Sequence, residues 1–464
     1  MEAAIKLMRT PKACYFYDAN KNSIIEISAA EHAYLQGAGK IDEASLDGFA
    51  HLKELYGQGY LHSLEVERVM NPMTPYLGDL LDRCLQKVTL QLTQNCNFRC
   101  TYCTYTHSDG SQRTHADNRM TFETAKKAVD YLLAHSIDTP EVYIGFYGGE
   151  PLLEFPLIQK VVEYADGLFP RGKLRYTITT NASILNEEIT AFLKGHRFSV
   201  VISLDGPERI HDKNRVFAES GKGTFGVVIK KLEEVYRKEP EFFKSLTLNM
   251  VIDPSNDFDE VLSLFAEYPF LQECMSQMSV IDDYFTDKKN VVSESYTESM
   301  EYQTFLGYLY LLNRIREEEV PAAVLGRIKG IEDDTYRKYQ PKDGLGKTSA
   351  PGGPCVPGKS RLLVTYDGKL IPCERVSETS QALCLGSLET GIEVKKAEEL
   401  LNVAALTAEA CRKCWAFGLC SSCIKYADEY GELSAAKRLS YCESARANAL
   451  HGLYEQLMLR ECTG

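Results

Sequence analysis

Apolar, β-branched runs alternate with amphipathic stretches through the middle of this chain. From residue 87 onward the apolar runs are KVTLQLT, EVYIGFYGG, LRYTITTNA, FSVVISLDG and SLTLNMVID. Between them lie segments with apolar residues at helical spacing, namely TFETAKKAVDYLLAH, FPLIQKVVEYADGLF, LNEEITAFLKG and TFGVVIKKLEEVYRK. This alternation predicts βαβ units around a parallel sheet. With a sixth candidate strand at residues 278–282, the pattern predicts an α/β fold with a partial (β/α)6 barrel. Its chemistry should lie where the carboxyl ends of the strands converge.

Residues 1–85 have a different pattern. ACYFYDANKNSIIEIS predicts two strands around a turn at residues 18–22, and AAEHAYLQG and SLDGFAHLKELYGQGYL predict short helices. Strands and helices of this kind fit a winged-helix-like module, and they fit other small α+β caps as well. Further along, residues 295–330 are predicted to be helical, and a Gly/Pro/Lys-rich segment at 340–354 marks a boundary. The predicted domains are 1–85, 86–330 and 331–464.

Composition narrows the class of protein. The 464 residues are 44% hydrophobic and 25% charged, as in a globular protein with more than one domain. A net charge of −13 without a sustained Lys/Arg run argues against a nucleic-acid partner. The N-terminus has no apolar signal core, and no run approaches the roughly 18 apolar residues of a membrane span. We therefore expect a cytoplasmic protein with no nucleic-acid or membrane partner.

Fifteen cysteines change this picture. In a reducing cytoplasm, metal binding explains so many thiols better than disulfides do. Their placement is uneven, because a tight group lies at residues 96–103 and nine more lie between residues 355 and 462. The cysteine pattern therefore predicts one metal centre beside the first barrel strand and others toward the C-terminus.

The first group is Cys96-Asn-Phe-Arg-Cys100-Thr-Tyr-Cys103, directly after the first predicted barrel strand. Three thiolates at this spacing can hold three irons of a [4Fe–4S] cluster, which leaves the fourth iron open to a substrate or cofactor. A structural zinc ion is the alternative. Zinc sites usually close with four ligands arranged as Cys-x2-Cys pairs, so the spacing Cys-x3-Cys-x2-Cys favours iron and sulfur.

The segment CNFRCTYC resembles the CxxxCxΦC signature of the radical S-adenosylmethionine (SAM) superfamily, with Tyr102 at the aromatic position. The resemblance extends over about residues 87–285. Three further motifs match. Gly148-Gly149-Glu150-Pro151 matches the motif that in relatives meets the amino group of SAM, and Thr180-Asn181 matches positions that contact the ribose and nearby polar groups. Ser203-Leu204-Asp205-Gly206-Pro207, with His211-Asp212 and Arg215, matches a motif whose serine approaches the ribose and whose arginine pairs with the carboxylate of SAM.

This resemblance implies a cofactor-driven reaction. It implies that a reduced cluster passes one electron to the sulfonium of SAM, and that a 5′-deoxyadenosyl radical then abstracts hydrogen from an unactivated carbon. The electron would come from an external donor such as flavodoxin or ferredoxin. The sequence singles out no catalytic acid or base. The residues expected to bind SAM are Tyr102, Gly148, Gly149, Glu150, Thr180, Asn181, Ser203, Asp205 and Arg215.

The C-terminal cysteines resemble the SPASM extension of radical SAM peptide maturases. The spacings are Cys-x12-Gly-x4-Cys from residue 355 and Cys-x2-Cys-x5-Cys-x2-Cys from residue 411, with a last cysteine at 442. The final pair of the second group is one residue closer than in the SPASM pattern. Structural zinc sites are the alternative, because thiolates bind zinc and iron–sulfur clusters alike. The resemblance implies two auxiliary [4Fe–4S] clusters, a distal one on Cys411, Cys414, Cys420 and Cys442 and a proximal one on Cys355, Cys373 and Cys423.

The proximal set lacks a fourth ligand. Either Cys384, the nearest cysteine to Cys373, completes it, or one iron stays open and binds the thiolate of a substrate cysteine. The readiness of such clusters to accept electrons favours the open site.

The substrate class also follows from the resemblance. SPASM-bearing relatives mostly modify peptides or proteins, and the first 85 residues resemble modules that capture a leader segment as an added strand. We therefore expect a maturase of a ribosomally made precursor peptide that forms a thioether from a substrate cysteine. The alternatives are a carbon–carbon or carbon–oxygen cross-link, formylglycine formation in sulfatases, or, in another class, a zinc-stabilised binding protein.

Overall fold

The computed structural model describes residues 3–106, 112–284 and 289–463. The chain forms two compact units, each assembled from segments that are distant in sequence. The first unit comprises Met1–Leu77, Lys329–Cys355 and Glu398–Gly464, and the second comprises Gly78–Ile328 and Val356–Ala397. Among the described residues, every helix is too short or too polar to cross a membrane.

The secondary structure is as follows. The strands are β1 Ile5–Arg9, β2 Cys14–Asp18, β3 Ser23–Ile27, β4 Arg68–Val69, β5 Lys87–Thr93, β6 Phe98–Cys100, β7 Val142–Gly148, β8 Leu174–Thr180, β9 Ser199–Ser203, β10 Arg215–Phe217, β11 Thr247–Ile252, β12 Met275–Val280, β13 Thr348–Ser349, β14 Leu362–Val364, β15 Lys369–Ile371, β16 Gly386–Ser387 and β17 Gly391–Ile392. The helices are α1 Ala29–Gly37, α2 Ala50–Gly57, α3 Leu77–Arg83, α4 Phe122–Ala134, α5 Phe155–Asp166, α6 Glu187–Gly195, α7 Glu208–Asn214, α8 Phe225–Lys238, α9 Pro240–Lys244, α10 Phe258–Glu267, α11 Glu294–Leu311, α12 Ala322–Arg337, α13 Val394–Leu401, α14 Ala408–Cys411, α15 Ala435–Ser440 and α16 Cys442–Thr463.

The first unit contains an antiparallel sheet in the order β1-β2-β3, with every residue of β2 buried. Since side chains alternate along a strand, β2 supplies two cores. Tyr15 and Tyr17 pack with Phe417 and Leu453 from the C-terminal part of the chain. On the other face, Phe16 packs among residues of α1 and α2. The predicted hairpin is confirmed as β2 and β3, and the winged-helix-like character of the module stays a prediction.

The second unit is built on a ten-stranded sheet in the order β12-β11-β9-β8-β7-β5-β14-β15-β16-β17. The strands from β12 to β14 in this order are parallel neighbours, and β15, β16 and β17 continue antiparallel. The predicted α/β fold with a mostly parallel sheet is therefore confirmed. The sixth predicted strand begins three residues before the expected range, at Met275.

The second unit also includes residues that the sequence assigned to the C-terminal domain. Strand β14 is wholly buried and pairs parallel with β5, with Leu363 opposite Thr89. This short apolar strand therefore extends the same sheet as the predicted barrel strands. Residues 356–397 belong to the same compact unit as this sheet. The predicted boundary at 331 stays a prediction about functional modules.

Candidate active site

The predicted ligands of the first cluster lie where strands of the second unit end. Cys96 follows β5, and Cys100 ends β6, which pairs antiparallel with β10. In that ladder Cys100 is the register partner of Arg215. The segments expected to bind SAM lie at the ends of β7, β8 and β9. All of them are therefore at the carboxyl edge of the parallel sheet, where α/β enzymes place their chemistry.

The glycine pair of the first motif is required by packing within the chain. Gly148 has φ +138°, and a Cβ there would overlap the backbone oxygen of Thr93. A Cβ on Gly149 would overlap the backbone oxygen of Asn95. The N–H groups of Gly149 and of the next residue donate to these two oxygens at 2.8 and 2.9 Å. The pair therefore fixes the backbone immediately before Cys96.

The carboxylate of Glu150 is buried and accepts hydrogen bonds from three donors of the chain. Its Oε1 accepts from the Thr180 hydroxyl at 2.6 Å and from the N–H of Leu152 at 3.0 Å. Its Oε2 accepts from the N–H of Asn181 at 2.7 Å. Burial raises the pKa of Glu150, and these hydrogen bonds oppose the rise. Glu150 thus ties the end of β7 to the end of β8, and its contact with an ammonium stays a prediction.

A network of amides orients the first cysteine. The Sγ of Cys96 accepts hydrogen bonds from the N–H of Phe98 at 3.4 Å and from the side-chain amide of Asn181 at 3.9 Å. The Asn181 amide also donates to Asn97 Oδ1 at 2.9 Å, and the Asn97 amide donates to the Ser183 hydroxyl at 2.8 Å. Asn181 was expected from its motif, whereas Asn97 and Ser183 carry no motif signal.

The three thiols suit a metal cluster. Burial, and less strongly the Glu150 carboxylate, raises the pKa of Cys96 to about 12, and burial raises the pKa of Cys100 to about 11. Burial also raises the pKa of Cys103. Such thiols resist ionisation by themselves, but a bound metal reverses the effect because its charge deprotonates coordinating thiols. The donor set fits a cluster held by these cysteines.

Tyr102, Asp205 and Arg215 form a buried network beside Cys100. The Tyr102 hydroxyl donates to Asp205 Oδ2 at 2.5 Å, and Arg215 Nη1 donates to the Tyr102 oxygen at 2.8 Å and to Asp205 Oδ1 at 3.3 Å. Ser203 ends β9 two residues before Asp205. The Nε of Arg215 is buried and has no hydrogen-bond partner among the described residues. A fixed guanidinium with an unused donor fits a ligand carboxylate.

The histidine and the following aspartate of the same motif stabilise the fold. His211 Nδ1 accepts from the N–H of Asp205 at 3.3 Å, so its Nε2 carries the proton and donates to Thr224 Oγ1 at 3.0 Å. Asp212 Oδ1 accepts from the N–H groups of Thr224 and Phe225 at 2.7 and 2.8 Å. These bonds fix the entry into α8.

A polar cavity of about 420 Å³ adjoins the cysteine loop within the same unit. In its lining, Arg113 Nη1 and Glu378 Oε1 form a buried ion pair at 2.6 Å. The Arg113 guanidinium lies 4.3 Å from the ring centre of Tyr105, two residues after Cys103. The Nε of Arg113 is buried without a partner in the described part of the chain. The lining also includes Gln94, Asp367, Lys369, Gln381 and Cys384.

No motif in the sequence marks this cavity. Arg113 and Glu378 are 265 residues apart, and neither belongs to a motif. Gln91 Nε2 donates to the same carboxylate from β5 at 2.5 Å. The only indication of this site in the sequence was Gln91, a polar residue within a predicted strand, and Gln91 is buried in the structure.

The cysteines expected to hold the distal cluster come together in the first unit. They line one cavity of about 240 Å³. Burial raises the pKa of Cys414 and of Cys420. The four cysteines in this lining are Cys411, Cys414, Cys420 and Cys442.

The cysteines expected at the proximal cluster are divided between the units. Cys355 and Cys423 belong to the first unit and Cys373 belongs to the second, so their shared role stays a prediction. Cys384 lines the polar cavity, and its Sγ donates to the backbone oxygen of Gly386 at 3.5 Å. Within the described ranges, no three His, Cys, Asp or Glu side chains are arranged as ligands of a single metal ion.

Comparison with known families agrees with this geometry. Residues 90–267 match the Radical SAM superfamily. This segment is therefore similar to a radical SAM domain, and the superfamily implies a [4Fe–4S] cluster and SAM as cofactors. The match includes the three cysteines of the first group and every segment expected to bind SAM.

Several known proteins are similar to this chain. A cysteine-type anaerobic sulfatase-maturating enzyme of Clostridium perfringens is 24% identical over 365 residues, which cover 76% of this chain and 92% of that protein. The radical SAM cyclopropyl synthase TigE of Paramaledivibacter caminithermalis is 30% identical over 158 residues, or 32% of each chain. An uncharacterized protein of Methanocaldococcus jannaschii is 39% identical over 124 residues, and the match covers 27% of this chain and 40% of that protein.

Solved structures share the fold. The structure described as native anSMEcpe with bound AdoMet has a TM-score of 0.59 and 21% sequence identity, and the match covers 82% of this chain and 100% of that chain. The same protein with bound AdoMet and Cp18Cys peptide gives a TM-score of 0.57 at 22% identity, covering 82% of this chain and 99% of that one.

Proposed function

We propose that this chain is a radical SAM maturase that acts on a ribosomally made peptide and forms a thioether from a substrate cysteine. The observation that carries the proposal is the contact between the cysteine loop and the polar cavity. Tyr105 follows Cys103 by two residues, and its ring stacks on Arg113 in the cavity lining. A ligand in this cavity would therefore lie beside the cluster site.

The residues of the chain have distinct tasks in this proposal. Cys96, Cys100 and Cys103 hold a [4Fe–4S] cluster, and Arg215 donates its unused Nε–H to the carboxylate of SAM. When bound, this cluster supplies the electron that cleaves SAM and so generates the radical. The N–H groups of Gly149 and Glu150 hold the backbone just before the cysteine loop, since they donate to the oxygens of Thr93 and Asn95.

The charges in the cavity favour a neutral ligand that forms hydrogen bonds. Arg113 pairs with Glu378, and Lys369 Nζ pairs with Asp367 Oδ2 at 3.1 Å. Because each cation in these pairs is already paired with a carboxylate, an anionic ligand would gain little electrostatic stabilisation from it. The unpartnered Nε–H of Arg113 can donate to a carbonyl. A peptide segment meets these requirements.

The remaining parts of the proposal rest on the first unit. In the three-stranded sheet, β1 and β3 are edge strands, and a leader segment can add to such an edge. Cys411, Cys414, Cys420 and Cys442 are proposed to hold the distal auxiliary cluster. Together with the SAM-binding cluster and the proximal auxiliary cluster, this makes three clusters, and an external flavodoxin or ferredoxin is the proposed electron donor.

Formylglycine formation in a sulfatase is the second candidate. Its support is the similarity to the sulfatase-maturating enzyme, which extends over 92% of that protein. Both candidate reactions remove two electrons from a cysteine-containing substrate, but the sulfur ends in different places. A thioether keeps the sulfur in the peptide, whereas formylglycine replaces it with an aldehyde oxygen.

The test uses the anaerobically reconstituted full chain with SAM and dithionite. One reaction contains a cysteine-rich precursor peptide with its leader, and a parallel one contains a sulfatase-derived cysteine peptide. Mass spectrometry after thiol alkylation measures the outcome. Loss of two hydrogens and of one alkylatable thiol, with the sulfur retained, supports the thioether, and an aldehyde that reacts with hydrazine supports formylglycine.

The matched control is the variant with Cys96, Cys100 and Cys103 replaced by Ala. It should form no 5′-deoxyadenosine while it keeps iron at the C-terminal cysteines, because only these thiolates hold the SAM-binding cluster. SAM cleavage by this variant would contradict the proposal. Metal and sulfide analysis of the native chain tests the other class of protein, since a colourless protein with zinc alone would be a binding protein.

A further inference from the structure

The cavity between the four distal cysteines has the size for a cluster rather than for one ion. In a zinc site the four sulfurs lie about 2.3 Å from one ion, so no space for further atoms remains between them. Here Cys411, Cys414, Cys420 and Cys442 line a cavity of about 240 Å³ together with apolar residues and two arginines. That volume suits a group of several metal and sulfide atoms.

Two arginines share this lining, and their surroundings differ. Arg438 is 3% exposed, whereas Arg446 lies on the exposed side of α16. Arg438 Nε donates to the hydroxyl of Thr407 at 3.2 Å, and its Nη1 donates to the hydroxyl of Ser422 at 3.1 Å. Both partners are neutral, so these bonds fix the guanidinium without compensating its charge.

A buried cation of this kind requires a nearby negative group. In the described ranges, no carboxylate forms an ion pair with Arg438. Isolated charges are costly to bury, and in the lining of this cavity the four cysteines are the groups that become anionic when they bind a metal. Arg438 therefore places a fixed positive charge in the same lining as the proposed cluster ligands.

We propose that Arg438 raises the reduction potential of the distal cluster and so stabilises its reduced state. The inference rests on the proposed function, because it requires an iron–sulfur cluster at these cysteines. A fixed positive charge at a site of low dielectric stabilises one added electron there.

The test is a potentiometric titration followed by electron paramagnetic resonance. It uses the full chain, loaded with iron and sulfide, in the Cys96, Cys100 and Cys103 to Ala background, so that only auxiliary clusters contribute. Arg438→Gln should lower the midpoint potential of one auxiliary cluster by at least about 59 mV, which is a tenfold change in a one-electron equilibrium. Arg446→Gln removes the same charge from the exposed side of the cavity and should shift the potential by less than half as much, because water screens it.

The outcomes separate the inference from the function on which it rests. Unchanged iron content with an unchanged potential in Arg438→Gln would overturn the role of Arg438 and leave the cluster in place. Zinc at these cysteines in the native chain would overturn the cluster itself. If Arg438→Gln loses distal iron, Arg438→Lys decides, because it keeps the charge but not the bonds to Thr407 and Ser422. Retained iron with a native potential in Arg438→Lys supports the role of the charge, and a lowered potential refutes it.

Discussion

Arg215 and Cys100 lie opposite each other in the antiparallel ladder of β10 and β6, and the side chain of Arg215 reaches the hydroxyl of Tyr102 at 2.8 Å. The ladder therefore connects a predicted cluster ligand to the residue proposed to bind the carboxylate of SAM. Asp205 accepts from both Arg215 and Tyr102, which fixes the guanidinium in one orientation. Contacts within the chain therefore set the orientation of the unused Nε–H of Arg215, with no need for a bound ligand.

The first prediction concerns this donor. Arg215→Lys keeps a positive charge beside Asp205 but removes the Nε–H, so the KM for SAM should rise about 10- to 100-fold, the value of a hydrogen bond to a charged group. The measurement is 5′-deoxyadenosine formation against SAM concentration. Arg209→Lys, at an exposed arginine paired with Glu260, is the control and should leave KM unchanged. An unaltered KM in Arg215→Lys would mean that this arginine only supports the fold.

The second prediction concerns the glycine pair. Gly149→Ala should displace the backbone at Asn95 and with it the first cysteine, because the new Cβ would overlap the Asn95 oxygen. We expect less iron at the SAM-binding site and a fall in SAM cleavage of about 100-fold, as a misplacement of about 1 Å can produce. Gly226→Ala is the matched control, since a Cβ at that position meets no atom. Native iron content and activity in Gly149→Ala would refute this role.

The sequence predicted the regular parts of this fold more completely than its sites. Strand β5 matches its predicted range in full, because its apolar residues recur at every second position, which is the period of a strand. Strand β14 was not predicted, since three residues carry no periodicity. The cysteine and SAM motifs could be found because their residues are close in sequence. The pair of Arg113 and Glu378 could not be predicted, because its residues are 265 positions apart in the sequence and meet only in the folded chain.

The third prediction concerns the shared core of the first unit. Tyr17 is fully buried and packs with Phe417 and Leu453, so the N-terminal sheet and the C-terminal segment stabilise each other. Tyr17→Ala should lower the free energy of unfolding by about 3–5 kcal/mol, as large-to-small core substitutions of aromatic residues do. Tyr76→Ala, at a side chain that is 59% exposed, should change it by less than about 0.5 kcal/mol. Chemical denaturation of the anaerobic protein measures both values.

Because of this core, deleting the proposed leader-recognition module, residues 1–85, affects more than leader binding. Deleting residues 1–85 would remove Tyr17 and its neighbours and would expose apolar side chains near the distal cysteines. We therefore expect that deletion to lower iron content as well as peptide modification. Iron content unaffected by the deletion would indicate that the module folds independently of the C-terminal segment.

The last prediction tests the polar cavity as the site of the peptide. Gln381 is exposed at the edge of the cavity, so Gln381→Trp should fill part of the 420 Å³ without disturbing the buried pair of Arg113 and Glu378. Modification of whichever of the two test peptides the native chain accepts should fall at least about tenfold, because the indole occupies space that the substrate needs. SAM cleavage in the absence of peptide should stay within about twofold of the native rate, because the cysteine loop and Arg215 are unchanged. Lys395→Trp places the same side chain on an exposed position of α13 and should affect neither activity. If Gln381→Trp modifies the peptide at the native rate, the substrate binds elsewhere, and if both activities fall together, the cavity supports the cluster site instead of receiving the peptide.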